Sequence, residues 1–259
     1  MKSLRVQWIL AIFCLGLAGV IAELSWTKVR VSIPEMGKKQ IEPSLGQGML
    51  LGILGGFRTV VADGAWIRSY VLWERRDRAG CEALMRTSCL LDPRARFFWE
   101  NTGYVIGYDM AHWEIRKRGG YAKVSPEIQD DLFKKYAQQG IRVMEEGVKY
   151  TGGNVGILIS AGQMSELKLK DFSLAASYYK RASESKNPPW FVHFLCAKAL
   201  WESGQTKKAY DWYRDVWQKK LSKEDDYAPD DLEHLRFMED QLNLTLLQRI
   251  PRQSWEKKN

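Results

Sequence analysis

DFSLAASYYKRA (residues 171–182) and its echo TKKAYDWYRDV (residues 206–216) set the reading of this chain. Ala175, Tyr179 and Ala182 of the first segment return as Ala209, Tyr213 and Val216 of the second, an interval of about 34 residues. Small, aromatic and small residues at spacings of four and three share one face of an α-helix. The small residues let a neighbouring helix cross closely, and the aromatic ring fills the gap beside the crossing. A helix pair of this length cannot cover its own apolar face, so further pairs must stack on it. The two segments therefore predict an all-α chain of repeated helix pairs.

The register extends in both directions. Upstream, LDP at residues 91–93 closes a first unit (62–95), with helices over 62–75 and 80–90 and crossing positions Cys81, Met85 and Ser88. Trp99, Gly103 and Ile106 open a second unit (96–153). RKRGGYAKVS (116–125) breaks that unit, which gives it an insertion at 110–126 before Gly140, Met144 and Gly147 restore the crossing pattern. TGGN (151–154) ends that helix with turn chemistry. A third unit (154–189) and a fourth (190–220) follow. After the polar break SKEDDYAPDD, a last helix over 230–248 carries Leu232, Leu235, Met238, Leu242 and Leu246 at the spacing a capping helix needs. The prediction is a tetratricopeptide-like (TPR) α-solenoid of about four pairs over 48–259.

The N-terminus differs in kind. Lys2 and Arg5 precede the apolar run 6–22, VQWILAIFCLGLAGVIA, which Glu23 ends. At about 17 residues it stands at the lower limit for a spanning helix. A transmembrane anchor over 1–23 and a cleaved signal peptide both fit. Basic residues before the run favour an inside N-terminus and a single pass of the inner membrane, with the bulk of the chain extracytoplasmic. Pro34, Gly37 and Pro43 mark 24–47 as a linker.

Net charge is +8 over 259 residues, with lysines scattered in pairs such as Lys134-Lys135 and Lys207-Lys208. This is no nucleic-acid footprint, because no dense basic stripe with interleaved aromatics is present. Of the four cysteines, Cys81, Cys89 and Cys196 lie in the body without metal-ligand spacing and read as small buried hydrophobes. His112, His193 and His234 are isolated in sequence, no phosphate loop or nucleophile elbow occurs, and no cofactor or metal is expected.

Around the first unit, LGGFRTVVADGAWIRSYVLWE (54–74) and LLDPRARFFWE (90–100), with EEGVKYTGGN (145–154) later, resemble a largely uncharacterised group of bacterial membrane-anchored tetratricopeptide proteins of the cell envelope. Gly56, Phe57, Arg58, Ala62, Asp63, Trp66 and Arg68 carry the likeness, which covers roughly 50–215. The chain departs from the group at Thr151-Gly152-Gly153, where Asn-Pro is more usual. The resemblance implies architecture and location rather than an activity.

A solenoid of this kind lines its groove with the first helix of each pair. Groove positions on that register are Trp66, Tyr70, Trp73, Tyr104, Tyr108, Gln163, Glu166, Phe194, Lys198 and Trp201. Aromatics with polar tips are typical contacts for a protein partner's segment. Arg58, Asp63 and Arg68 form a separate polar set, either a capping and ion-pair arrangement or a docking point for a carboxylate. The expected role is a non-catalytic, membrane-tethered scaffold for envelope proteins. The alternatives are an enzyme-associated subunit using 107–130 as a lid, and a binder of anionic polymers or lipid surfaces.

Overall fold

The computed structural model describes residues 55–219 and 229–251, together with Leu17 and Val20. The expected anchor (1–23, apart from those two residues), the linker (24–47) and most of the polar break lie outside the described residues. Among the described residues all regular structure is helical, and no helix is long and apolar enough to cross a membrane. The chain divides into two units, one ending at Asp92 and the other beginning at Pro93.

In the first unit a short 3-10 turn (Gly55–Phe57) leads into α1 (Arg58–Glu74), and α2 (Arg78–Leu91) packs against it. Asp77 stops one helix and starts the next: its carboxylate accepts the Gly80 N–H at 3.1 Å, filling one of the donors a helix N-terminus leaves open. The α1–α2 seam holds Ala62, Trp66 and Ser69 with the predicted crossing positions Cys81, Met85 and Ser88, all buried. Ser88 Oγ donates across it to the Ala62 carbonyl at 2.9 Å. The sequence places the first helix start at residue 62; it begins four residues earlier, because Arg58 to Val61 continue the helix without a capping side chain at Phe57.

The second unit starts with α3 (Arg96–Tyr104), which runs through a π-helical segment (Val105–Asp109) into α4 (Met110–Lys117). This composite helix packs on α5 (Pro126–Tyr150). Gly103 and Gly140 meet at the crossing, where a Cβ on either would overlap the other's carbonyl oxygen or the Met144 side chain. A turn away, a Cβ on Gly147 would lie 2.5 Å from Trp99 Cβ. Trp99 stacks on Tyr150 with centroids 5.4 Å apart and donates its indole N–H to the Pro93 carbonyl at 2.9 Å. The interruption read at 110–126 is shorter than expected. Met110, Ala111 and Ile115 are buried on α4, so only 118–125 departs from helix, and Gln129 fixes that turn by donating to the Tyr121 and Val124 carbonyls at 3.0 and 2.8 Å. The 107–130 stretch proposed as a lid is thus mostly helix with a pinned turn.

The helix ends elsewhere follow the predicted chemistry. Gly152 and Gly153 take φ of +67° and +83°, and Asn154 then caps α6 (Val155–Met164), accepting from the Gly156 and Ile157 N–H groups. A second π-helical segment (Ser165–Leu169) follows, then α7 (Phe172–Ser183), capped by Asp171. α8 (Phe191–Glu202), α9 (Thr206–Lys219) and α10 (Pro229–Gln241) complete the order, each packed on its predecessor in turn. Ala175, Tyr179 and Ala182 on α7 and Ala209, Tyr213 and Val216 on α9 are all buried. Gly162 lets Tyr179 approach α6, since a Cβ there would lie 2.5 Å from the ring.

The last helix ends at Gln241, not at 248. Asn243 adopts φ of +51° and the Leu244 N–H turns back to the Glu239 carbonyl, leaving Leu246 88% exposed. The chain then returns to α10 through a buried carboxylate. Glu239, fully buried, accepts from the Ile250 N–H at 2.8 Å, Tyr210 Oη at 3.2 Å and Arg236 at 2.8 Å. Hydrogen bonding on this scale is what permits a charge to be buried.

Close crossings and open faces make opposite predictions for the same substitution. Gly140→Ala should lower stability by about 1–3 kcal/mol, because backbone rather than a flexible tip must move. Gly64→Ala, on α1 with nothing within 4 Å of its Cβ, should be neutral or stabilising by up to about 1 kcal/mol. Urea midpoints of the two variants would decide; equal effects would show that the crossing does not constrain α3 and α5.

Candidate functional site

The second unit brings five of the predicted groove residues onto one polar strip. Tyr104 ends α3, and Tyr108 lies in the first π-helical segment with its ring 5.7 Å from that of Tyr104. Gln163 is half-buried on α6, Glu166 lies in the second π-helical segment, and Lys198 is exposed on α8. Tyr104 Oη donates to Ser160 Oγ at 2.9 Å, and Ser160 donates to Glu100 at 2.5 Å. Arg96 grips Glu100 through two nitrogens, at 2.8 and 3.2 Å. Farther along, Glu166 accepts from Tyr179 Oη at 3.0 Å and from Lys198 Nζ at 3.2 Å. Burial, reinforced by the Glu166 charge, holds the Tyr179 phenol far above the ordinary range, so it stays a donor at any working pH.

Both π-helical segments contribute to this strip. The wider turn re-aims side chains that a regular helix would place elsewhere, and such segments recur at functional sites. Lys168, from the second segment, sets its Nζ 4.6 Å above the Tyr108 ring and 5.4 Å from that of Phe133. His112 packs edge-on to Phe133 at 5.0 Å and hydrogen-bonds Tyr121 Oη.

At its far end the strip reaches a small, shallow apolar cleft between α8, α9 and α10. Phe194, Lys198 and Trp201, all predicted groove residues, line it with Tyr213, Phe237 and Met238. α10 partly covers this cleft. Trp201 donates its indole N–H to Gln241 Oε1 at 3.0 Å and meets Phe237 edge-on at 5.6 Å, while Phe194 faces His234 at 5.5 Å. Trp201 and Phe194 are therefore wall residues of a cleft rather than free contact side chains. Lys198 belongs to both places, paired with Glu166 and bordering the cleft.

The remaining predicted positions belong to the first unit. Trp66 is buried in the α1–α2 seam and is a core residue there, not a groove residue, because it falls on the face of α1 that also carries Ala62 and Ser69. Tyr70, edge-on to Trp66 at 6.1 Å, and Trp73 are exposed. Arg58 opens α1, and Asp63 and Arg68 are exposed farther along it. Asp63 stands well inside the helix, so it does not cap the helix start.

Sequence reasoning missed Glu100, Ser160, Tyr179 and Lys168. Tyr179 was assigned to the core by its place in the repeat, and its ring is buried; its hydroxyl nevertheless reaches the strip. The four-residue spacing of Arg96 and Glu100 was a visible signal for an ion pair. Cys81, Cys89 and Cys196 are buried as expected, and burial pushes the Cys196 thiol up to about 12. No group of potential metal ligands occurs among the described residues. No protein-family model matches the chain, and a search of curated proteins finds no match.

Burial pushes the His112 pKa below its ordinary 6.5; the Lys168 charge adds to the effect and Asp109 opposes it. The unfolded chain therefore takes the proton first as pH falls. Stability carried by neutral His112 is present above pH 6.5 and is lost as pH drops through the lower folded value. Urea midpoints measured from pH 7.5 to about 5 should fall more steeply for the native protein than for His112→Gln. Parallel slopes would sever this histidine from acid sensitivity.

Proposed function

We propose that the chain is a non-catalytic scaffold, tethered to the inner membrane by a single N-terminal segment, whose second unit holds an extended segment of another envelope protein. On this reading the helix pairs form a tetratricopeptide-like solenoid with the bulk of the chain extracytoplasmic. The likeness of residues 54–74 and 90–100 to envelope tetratricopeptide proteins supports the location, and the 34-residue echo supports the repeat.

The observation that carries the binding role is the continuity of the strip. Tyr104 and Tyr108 lie on the composite α3–α4 helix, Glu166 on the segment after α6 and Lys198 on α8, and hydrogen bonds or ring and cation contacts link them to neighbours on adjoining elements. The row ends at an apolar cleft that Lys198 borders. A partner segment with alternating polar groups and one apolar side chain fits this order: the apolar side chain packs over the mouth of the cleft, and the segment's backbone meets phenol and carboxylate groups. Rigid aromatics already held in place lose little freedom on binding, which favours affinity. Tethering would raise the effective concentration of any client confined to the same membrane.

A photo-crosslinking residue placed at Tyr108 or Lys198 of the full chain in its native membrane should yield one discrete adduct, the same from both positions. The same probe at Ser177, exposed on α7, should yield none. Trp201→Ala, which opens the cleft wall, should reduce the adduct several-fold. Equal labelling from all three positions would refute the strip as a binding surface.

A further inference from the structure

α1 is apolar on two opposite faces. Ala62, Trp66 and Ser69 face the α2 seam, and the opposite arc carries Phe57, Val60, Gly64 and Ile67 at helical spacing. Val60 is 65% and Ile67 68% exposed, Phe57 and Val61 are also exposed, and Gly64 between them has open space where a Cβ would stand. A contiguous exposed apolar stripe marks a contact surface. Among the described residues, α2 covers one side of α1.

Two observations bear on what meets the other side. The first is charge: Arg68 and Arg75 lie along the same arc as the stripe, Arg76 follows in the turn, and all three are exposed. A basic edge beside an apolar stripe matches the acyl boundary and anionic headgroups of a bilayer. The second is sequence: the apolar stretch MLLGIL at 49–54 immediately precedes Gly55 and so leads straight into the stripe in the chain.

We infer that the outer face of α1 is a second membrane contact, lying in the interface of an anionic bilayer with Phe57, Val60 and Ile67 among the upper acyl groups. Arg68, Arg75 and Arg76 meet the headgroups. The inference rests on the tether reading, since the anchor brings the bilayer to this face, and it adds an orientation: the first unit lies flat on the membrane instead of hanging from a linker.

The test uses the full chain in a Cys14→Ser background, reconstituted in vesicles of phosphatidylglycerol and phosphatidylcholine, with a nitroxide at Val60→Cys or Ile67→Cys. Cys81, Cys89 and Cys196 are buried, which shields them from the label in the folded protein. Collision with oxygen, which concentrates in lipid, should exceed collision with a water-soluble nickel chelate several-fold at both positions, and a probe at Ser177→Cys should show the reverse. Replacing Arg68, Arg75 and Arg76 by Gln should lower the oxygen-to-nickel ratio at Val60→Cys at least two-fold. High nickel collision at Val60 and Ile67 in a chain that floats with the vesicles overturns this inference and leaves the tether standing. Low collision with both reagents overturns it in favour of a protein cover. A chain that fails to float removes the tether reading and this inference together.

Discussion

The approach of α3 to α5 governs the second unit. At Gly103 and Gly140 there is no side chain between the two helices, and each glycine meets the other's carbonyl. That contact fixes how far α3 and its π-helical continuation stand from α5. It therefore fixes where Glu100, Tyr104 and Tyr108 emerge. Met144 fills the space beside the crossing, and Trp99 caps it at Gly147. Interiors are packed like crystals, so a displacement of even a methylene at this point would be passed on to the strip.

The strip itself is a compromise between structure and surface. Its carboxylates are not free groups: Glu100 is held by Arg96 and Ser160, and Glu166 by Tyr179 and Lys198. Exposed ion pairs of this sort add little to stability, since water screens them. Their effect is geometric, holding phenols and carboxylates in one arrangement before anything binds. Glu239 does the opposite work at the C-terminal end. Fully enclosed and bonded to Tyr210, Arg236 and the Ile250 backbone, it ties the returning chain to α10, which in turn closes the cleft.

Helix positions were legible where local chemistry acts. The Gly152-Gly153-Asn154 turn stood in the sequence as turn chemistry ending a helix, and it is found. The crossing positions Cys81, Met85, Ser88, Gly103, Gly140 and Gly147 were legible from spacing alone. Two readings failed for a common reason. Extending the last helix to 248 relied on Leu242 and Leu246 keeping the apolar period, and placing Trp66 in the groove relied on assuming which face of α1 meets its partner. Periodicity reveals that a face is apolar but not what covers it. The π-helical segments were invisible because one extra residue in a turn leaves no compositional mark.

The chain's order of helices and breaks, and the small residues at which helices cross, were set by local sequence, because caps, glycine turns and face periodicity act over a few residues. Folding in three dimensions assigned the rest. It turned Tyr179 into both a core ring and a donor to Glu166, buried Glu239 at the end of the chain, and made Trp201 a cleft wall by docking α10 beside it. Those outcomes join residues 11 to 40 positions apart, and contacts at such separations follow from packing that no short window of sequence contains.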